Sequence, residues 1–404
     1  MPESDTQAVL VVNAGSSSLK YQLVLPDSGD VLATGLVERI GEAEGFTKHK
    51  TGEHAHERWF PCPTHREAFE AVLQAFGDHG PDLAAVDLAA VGHRVVHGGA
   101  RFQEPTLVTE EVLDTVRDLI PLAPLHNPAN IQGIEVARET FPIVPQVAVF
   151  DTAFHQTIPE HAYTYAVPLS WREDHAVRRY GFHGTSHSFV SRRAAELLGR
   201  KPRKTNCIVL HLGNGASACA VRGGESVDTS MGLTPLEGLV MGTRPGDIDP
   251  GLFGHAVREL GLSPAEVDRV LSKESGLLGL TGVNDFRTIM EWYADGDQAA
   301  VLAVAVFAYR IRKYVGAYAA ALGRLDAVVF TGGIGEHNPT LRALVLDGLE
   351  ILGIELDHAA NDQGAGERLI THPGSPVAAY VIPTNEELEI ARQCVDLLAT
   401  PSPD

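Results

Sequence analysis

The sequence predicts an α/β protein organised as two similar domains. Three observations point there. Apolar runs of strand length alternate with amphipathic runs of helix length along the chain. Several of those strands end in turns rich in Gly, Ser and Asn. A start made of strand, small-residue turn and strand occurs twice, at 9–25 and again at 207–221, which suggests a duplicated architecture. A chain of 404 residues has room for two domains, each burying its own core.

The first domain opens with strands at 9–12, 20–25 and 31–40. The stretch 49–63 is polar and aperiodic and reads as a surface excursion. Over 64–76, Phe69, Val72, Leu73 and Phe76 fall on one helical face. The apolar run 89–96 reads as a buried strand ending in His97-Gly98-Gly99. Helices follow near 110–120 and 128–140, then a strand at 147–150 that ends at Asp151. The second start places a strand at 207–212, the turn Gly213-Asn214-Gly215-Ala216-Ser217, a strand at 218–221 and a hairpin at Arg222-Gly223-Gly224. Three or four helices are expected between 250 and 322. A strand at 327–330 ends in a Gly-rich turn over 331–336, a helix covers 341–352, a strand covers 378–382, and the last helix covers 387–398.

Lys and Arg number 32 against 52 Asp and Glu, a formal charge of −20. That field opposes nucleic acid and anionic membranes as partners, and an anionic substrate needs local positive charge against it. Cys62, Cys207, Cys219 and Cys394 form no CxxC pair, so neither a disulfide framework nor a zinc site is indicated, and reduced thiols in the cytoplasm fit best. Residues 1–5 lack the basic and apolar regions of a secretion leader. The apolar run 301–322 is interrupted by Arg310, Arg312 and Lys313 and is too polar to span a membrane.

The turn Asn13-Ala14-Gly15-Ser16-Ser17-Ser18, with Lys20 just beyond it, has two readings. It is a polar hairpin turn, or a turn whose small residues let backbone N–H groups and hydroxyls reach a phosphate. It is not a Walker A loop, because GxxxxGK[ST] is absent. Comparable turns recur at 211–216 and 332–336. Ligands of α/β proteins bind beyond the carboxyl ends of strands, so the three turns are expected to converge on one cleft.

The stretches VVNAGSSSLKYQ, GHRVVHGG, APLHNPAN, VFDTAFHQTIP, RRYGFHGTSH, HLGNGASACA, DTSMGLTPLEGLVMGTRPGDIDP, LSKESGLLGLTG, VVFTGGIGEH and VIPTNEELEIAR cover nearly the whole chain. With them the sequence resembles the acetate kinase family. The resemblance implies two RNase-H-like domains of the actin-like ATPase type with a nucleotide cleft between them. It implies a first domain of 1–152 completed by the helix 387–404, and a second of 153–386. It further implies direct, reversible phosphoryl transfer from ATP to acetate with Mg²⁺ or Mn²⁺, giving acetyl phosphate and ADP. Acetyl-CoA/acetate interconversion and a homodimer follow from the same resemblance.

Site residues follow by match to the family's motifs. Arg94 and Arg244 match its substrate-clamping arginines, and a planar guanidinium suits carboxylate and phosphoryl oxygens alike. His183 matches the histidine that bonds the phosphoryl group in the transition state, whereas His187 and His93 read as structural. Asp151 matches a position described as a proton donor or acceptor. Acetate, with a pKa near that of Glu at about 4.3, is already ionised at neutral pH, so Asp151 is expected instead to orient Mg²⁺ through water or to position an arginine. Asn13 and Glu386 match the magnesium site, with Glu387 read as a first-turn helix residue. Lys20, Ser16 and Ser18 and the turn His211-Leu212-Gly213-Asn214-Gly215 are expected at the phosphates. Asp285, Phe286 and Arg287 are expected at the adenosine, with Gly333, Ile334, Gly335, Glu336 and His337, the last standing where the family more often has Asn. Val96, Leu125, Phe182 and Pro235 are expected to line an apolar acyl pocket, where the bulk of Phe182 favours a methyl group. Competing readings are a propionate or butyrate kinase, an ATP-switched binding module, which leaves Arg94, His183 and Arg244 without a purpose, and a pyrophosphate-linked kinase.

Overall fold

The computed structural model describes residues 7–400. The chain forms two compact units. Of the described residues, one unit holds 7–153 together with 385–400, and the other is Phe154–Thr384.

The first unit is built on β1 (Ala8–Ala14), β2 (Ser18–Val24), β3 (Val31–Glu38), β4 (Glu42–Thr51), β5 (His54–Cys62), β6 (Leu88–Val95), β7 (Thr106–Leu107) and β8 (Gln146–Phe150). They form one sheet in the order β5-β4-β3-β2-β1-β6-β8-β7. The three strands β1, β2 and β3 run antiparallel, while β6 and β8 extend the sheet parallel to β1. Residues 8–12 of β1 are buried on both faces, which is why they read as an unbroken apolar run. Phe69, Val72 and Phe76 of the helix His65–His79 close one core, and Ile390 and Cys394 of the helix Glu386–Ala399 pack onto Gly92 of β6.

The second unit repeats the plan. Its strands β9 (Asn206–Leu212), β10 (Ala216–Arg222), β11 (Glu225–Thr229), β12 (Ala327–Thr331), β13 (Arg368–Leu369) and β14 (Ala378–Val381) run in the order β11-β10-β9-β12-β14-β13. The central antiparallel pairs, the two parallel additions and the antiparallel edge strand correspond one for one with β3-β2-β1-β6-β8-β7. The expected duplication is therefore one of topology. Val190 and Ala194 of the helix Gly184–Leu197 cover Val209, Cys219 and Val329.

Three local expectations need correction. Residues 49–63 are not an irregular excursion, because they belong to the β4–β5 hairpin. The alternation is present, but the inward positions of β4 include Thr47 and His49, so no apolar period marks it. His49 is satisfied there by the Tyr21 hydroxyl at 2.7 Å and the Gly80 carbonyl at 2.9 Å. Between 250 and 322 there are five helices, the extra one being the short Gly276–Thr281. Residues 332–337 form a short helix, Gly332–His337, where a turn was expected.

Candidate active site

In the first unit the chemistry gathers at the carboxyl ends of parallel strands. Arg94 sits near the end of β6, and Asp151 follows β8, its backbone N–H donating to the Val95 carbonyl at 3.0 Å. The Arg94 guanidinium donates from Nε to Asp151 Oδ1 at 2.8 Å and from Nη2 to Asp151 Oδ2 at 2.7 Å. This bidentate pair engages both carboxylate oxygens. A second carboxylate, Glu386 Oε2, lies 3.7 Å from Arg94 Nε. Burial works against the charge on Arg94, but Asp151 and Glu386 outweigh it and hold the guanidinium more firmly protonated than a free arginine. Burial raises the proton affinity of the Asp151 carboxyl, and Arg94 opposes it.

Val12 of β1 is in register with His93 of β6, so Asn13 and Arg94 are the next residues along two neighbouring parallel strands. Asn130 ties the two strand ends together. Its amide donates to the Ala14 carbonyl at 2.7 Å, and its oxygen accepts from the Val96 N–H at 3.1 Å. Asn130 carried no role in the sequence reading, and its only signal was its place in the HNPAN run. Glu386 and Glu387 both fall in the first turn of the helix capped by Asn385, so helix position does not separate them. The contact with Arg94 does.

Ser16 and Lys20 are exposed on either side of the β1–β2 turn, and Ser18 is half-buried. Val96 is half-buried, and Leu125 is 62% exposed, which no core-packing role explains. A cavity of about 840 Å³ lined by Leu107, Glu110 and Ile143 contains none of the predicted site residues.

In the second unit three predicted residues surround one small space. A Cβ built on Gly215 meets Arg244 Nη2 at 2.9 Å and both His183 Nε2 and Cε1 at 3.6 Å, so the glycine leaves that space to the tip of the Arg244 guanidinium. His183 holds a left-handed backbone (φ 57°) at the start of the helix Gly184–Leu197. Such a conformation in a residue other than glycine stores strain and is common at functional sites. Just before it, a Cβ on Gly181 meets Thr229 Cγ2 at 2.3 Å, and the Phe182 carbonyl is 2.9 Å from His155 Nε2. The His183 and His211 rings stack at 4.3 Å, and Ser186 Oγ lies 2.8 Å from His211 Nδ1.

Arg244 is half-buried and donates to the Pro235 carbonyl at 2.8 Å. Among the described residues no carboxylate pairs with it, and burial lowers its pKa. Arg179, which the sequence reading left without a role, anchors the segment leading to Pro235. Its Nη1 donates to the carbonyls of Thr229, Ser230 and Met231 and its Nη2 to Glu237.

Gly213 and Gly215 are half-buried and Asn214 exposed in the β9–β10 turn, with the Asn214 carbonyl accepting from Gly242 N–H at 2.9 Å. Leu212 is wholly buried in β9. Phe286 is buried against Phe307, while Asp285 caps its helix and pairs with the exposed Arg287. In the helix Gly332–His337, Gly333 and His337 are exposed, Ile334 and Glu336 half-buried and Gly335 buried, with His337 Nδ1 3.0 Å from the Gly333 carbonyl. The buried Arg342 donates to the Gly335 and Glu336 carbonyls and so braces that helix. Arg94, Asp151 and Glu386 thus meet in one unit, and His183, Gly215 and Arg244 in the other.

The family model for acetokinases matches residues 8–392. An acetate kinase of Clavibacter michiganensis subsp. michiganensis is 58% identical over 386 residues, covering 95% of this chain and 98% of the relative. One from Leifsonia xyli subsp. xyli is 57% identical, covering 97% and 99%. Among solved structures, Porphyromonas gingivalis acetate kinase superposes with a TM-score of 0.94 at 45% identity, covering 97% of this chain and all of that one. A propionate kinase from Francisella tularensis superposes at 0.90 with 44% identity, covering 96% and 98%. In architecture, and by identity along nearly its full length, this chain belongs to the acetokinase family and has its actin-like ATPase fold.

Proposed function

We propose that the protein is an acetate kinase, transferring the γ-phosphoryl group of ATP to acetate. The observation that carries the reading is the space bounded by Gly215, His183 and the Arg244 guanidinium, a half-buried cation with no carboxylate beside it among the described residues. Such a cation awaits an anion. A carboxylate oxygen of acetate attacks the γ-phosphorus in line, the bond to the bridging oxygen breaks, and ADP leaves. Acetate arrives ionised, so no base is required. Both oxygens of Asp151 are engaged by Arg94, which supports a positioning role for Asp151.

The family implies a divalent metal ion with ATP. Among the described residues no group of three or more His, Cys, Asp or Glu is gathered for one. A sparse set of hard oxygen donors fits Mg²⁺, which keeps several waters, and Asn13 and Glu386 are the residues that would hold it. Bound there, it would neutralise charge on the phosphates. Lys20, Ser16, Ser18, residues 211–215 and residues 333–337 would contact the nucleotide. Asp285 and Arg287 would border the adenosine, while Phe286 contributes packing. All four cysteines are free and buried, which supports a reducing compartment, the cytoplasm. Among the described residues no helix is long and apolar enough to cross a membrane. A homodimer is the expected assembly, checked by sedimentation.

A propionate kinase is the second reading, favoured by the 44% identity to the propionate kinase from Francisella tularensis. Steady-state phosphorylation of acetate, propionate and butyrate, with hydroxylamine trapping of the acyl phosphate, tests both. The highest kcat/KM for acetate is expected. Preference for a longer acid would overturn the acetate assignment, and no turnover of any acid would overturn the kinase reading.

A further inference from the structure

Beside His183 lies a hydrogen-bonded chain that the proposed reaction does not itself require. Ser217 of β10 is wholly buried, and its Oγ lies 2.9 Å from His183 Nδ1 and 2.8 Å from His187 Nε2. His187 is also wholly buried, and its Nδ1 has no hydrogen-bond partner among the described residues. Burial holds its pKa well below the ordinary value of 6.5, so the ring is neutral and carries one ring proton.

A hydroxyl has a single proton. Accepting from both imidazoles would leave the buried Ser217 O–H without an acceptor among the described residues, so Ser217 donates to one imidazole and accepts from the other. If it donated to His187, the His187 proton would sit on Nδ1, a buried N–H with no acceptor. Orphaned buried N–H donors are rare, because nothing repays their lost hydration. The opposite direction leaves only a bare lone pair at His187 Nδ1. The chain then runs from His187 Nε2–H to Ser217 Oγ, and from Ser217 Oγ–H to His183 Nδ1.

We propose that Ser217 and His187 are positioning residues that lock His183 in the Nε2–H tautomer, with its donor edge toward Gly215 and Arg244. Two consequences follow for chemistry at that edge. His183 offers a hydrogen bond to a phosphoryl oxygen without needing to be charged. It also has no lone pair on Nε2, so that edge of the ring cannot attack phosphorus. The inference rests on the reading that His183 faces the transferring group.

The test is a long-range ¹⁵N–¹H correlation spectrum of the full-length protein labelled in histidine, without substrates, which does not depend on activity. His183 and His187 are both expected to show a protonated Nε2 and an unprotonated Nδ1. A proton on His183 Nδ1 would overturn the proposal even if the enzyme phosphorylates acetate. Conversely, failure to phosphorylate any acid leaves the tautomer result standing by itself. Ser217→Ala, with its fold checked by thermal melting, is expected to give His183 as a mixture of tautomers. Its kcat should fall about 10- to 100-fold, with KM for ATP and acetate within about twofold. An unchanged His183 tautomer in S217A would sink the idea whatever happens to kcat. His187→Gln, which keeps a donor near the Nε2 position, should retain the Nε2–H form of His183 and most of kcat. Loss of that form in H187Q would count against the role of His187.

Discussion

Arg94 and Arg244 are matched to the same task and live in opposite surroundings. Arg94 is neutralised in advance by two carboxylates, one of them fully buried and bound through both oxygens. Among the described residues Arg244 has a backbone carbonyl and no acid. The first guanidinium is part of the fold of its unit, and its geometry is set before any ligand arrives. The second keeps its charge for the ligand, at the expense of partial desolvation. One unit therefore invests in position and the other in field.

Substitution should separate them. Arg244→Ala is expected to have the largest effect, lowering kcat/KM for acetate by about 10³-fold or more, while the melting temperature holds or rises because a half-buried unpaired charge is gone. A large fall in stability would place Arg244 with Arg94 and erase the contrast. Arg94→Ala should cost both properties. It leaves Asp151 buried without its cation, so chemical denaturation should show a loss of about 3 kcal/mol, the low end for a broken buried pair because the Arg94 side chain keeps 22% of its surface exposed. Adding Asp151→Asn to R94A should recover much of that stability and none of the activity.

Acidification probes both units at once. Burial holds His93 and His97 of the first unit and His155 of the second neutral, each with its pKa lowered to about 4. Unfolded histidines take up protons below about 6.5, so these three contribute stability that is full above that pH and is lost as pH falls from there toward 4. Each should contribute a slope of about 1.4 kcal/mol per pH unit in that window. Melting curves between pH 7 and pH 5 for the parent and for His93→Gln check this. An undiminished slope in H93Q would show that His93 is charged in the folded state. The smallest contrast concerns the acyl residues. Leu125→Ala should change stability by less than about 0.5 kcal/mol, since the side chain is 62% exposed. Phe182→Ala should raise the kcat/KM of propionate relative to acetate by about tenfold, within the range for one methylene. Equal effects of L125A and F182A on that ratio would show both residues facing the acid.

Much of this was legible in the chain because the signals are local. Both strand–turn–strand starts, the strand that ends at Asp151 and the helix carrying Glu386 stand within a residue or two of where the pattern placed them. The hairpin at 42–62 escaped because its buried side includes Thr47 and His49, satisfied by partners at Tyr21 and Gly80 that are remote in sequence. Ser217 escaped because a serine in an ASACAV run reads as a small strand residue, and its two histidines come from a helix about 30 positions away.

By itself the sequence determined the alternation of elements, the family and the identity of the groups that handle an anion, because these depend on residue type and on spacing along one strand or helix. Tertiary structure alone decided which carboxylate holds Arg94, that Arg244 has none among the described residues, and that Ser217 joins His183 to His187. Those outcomes depend on distances between segments far apart in the chain and on removal from water, and neither is written in local order.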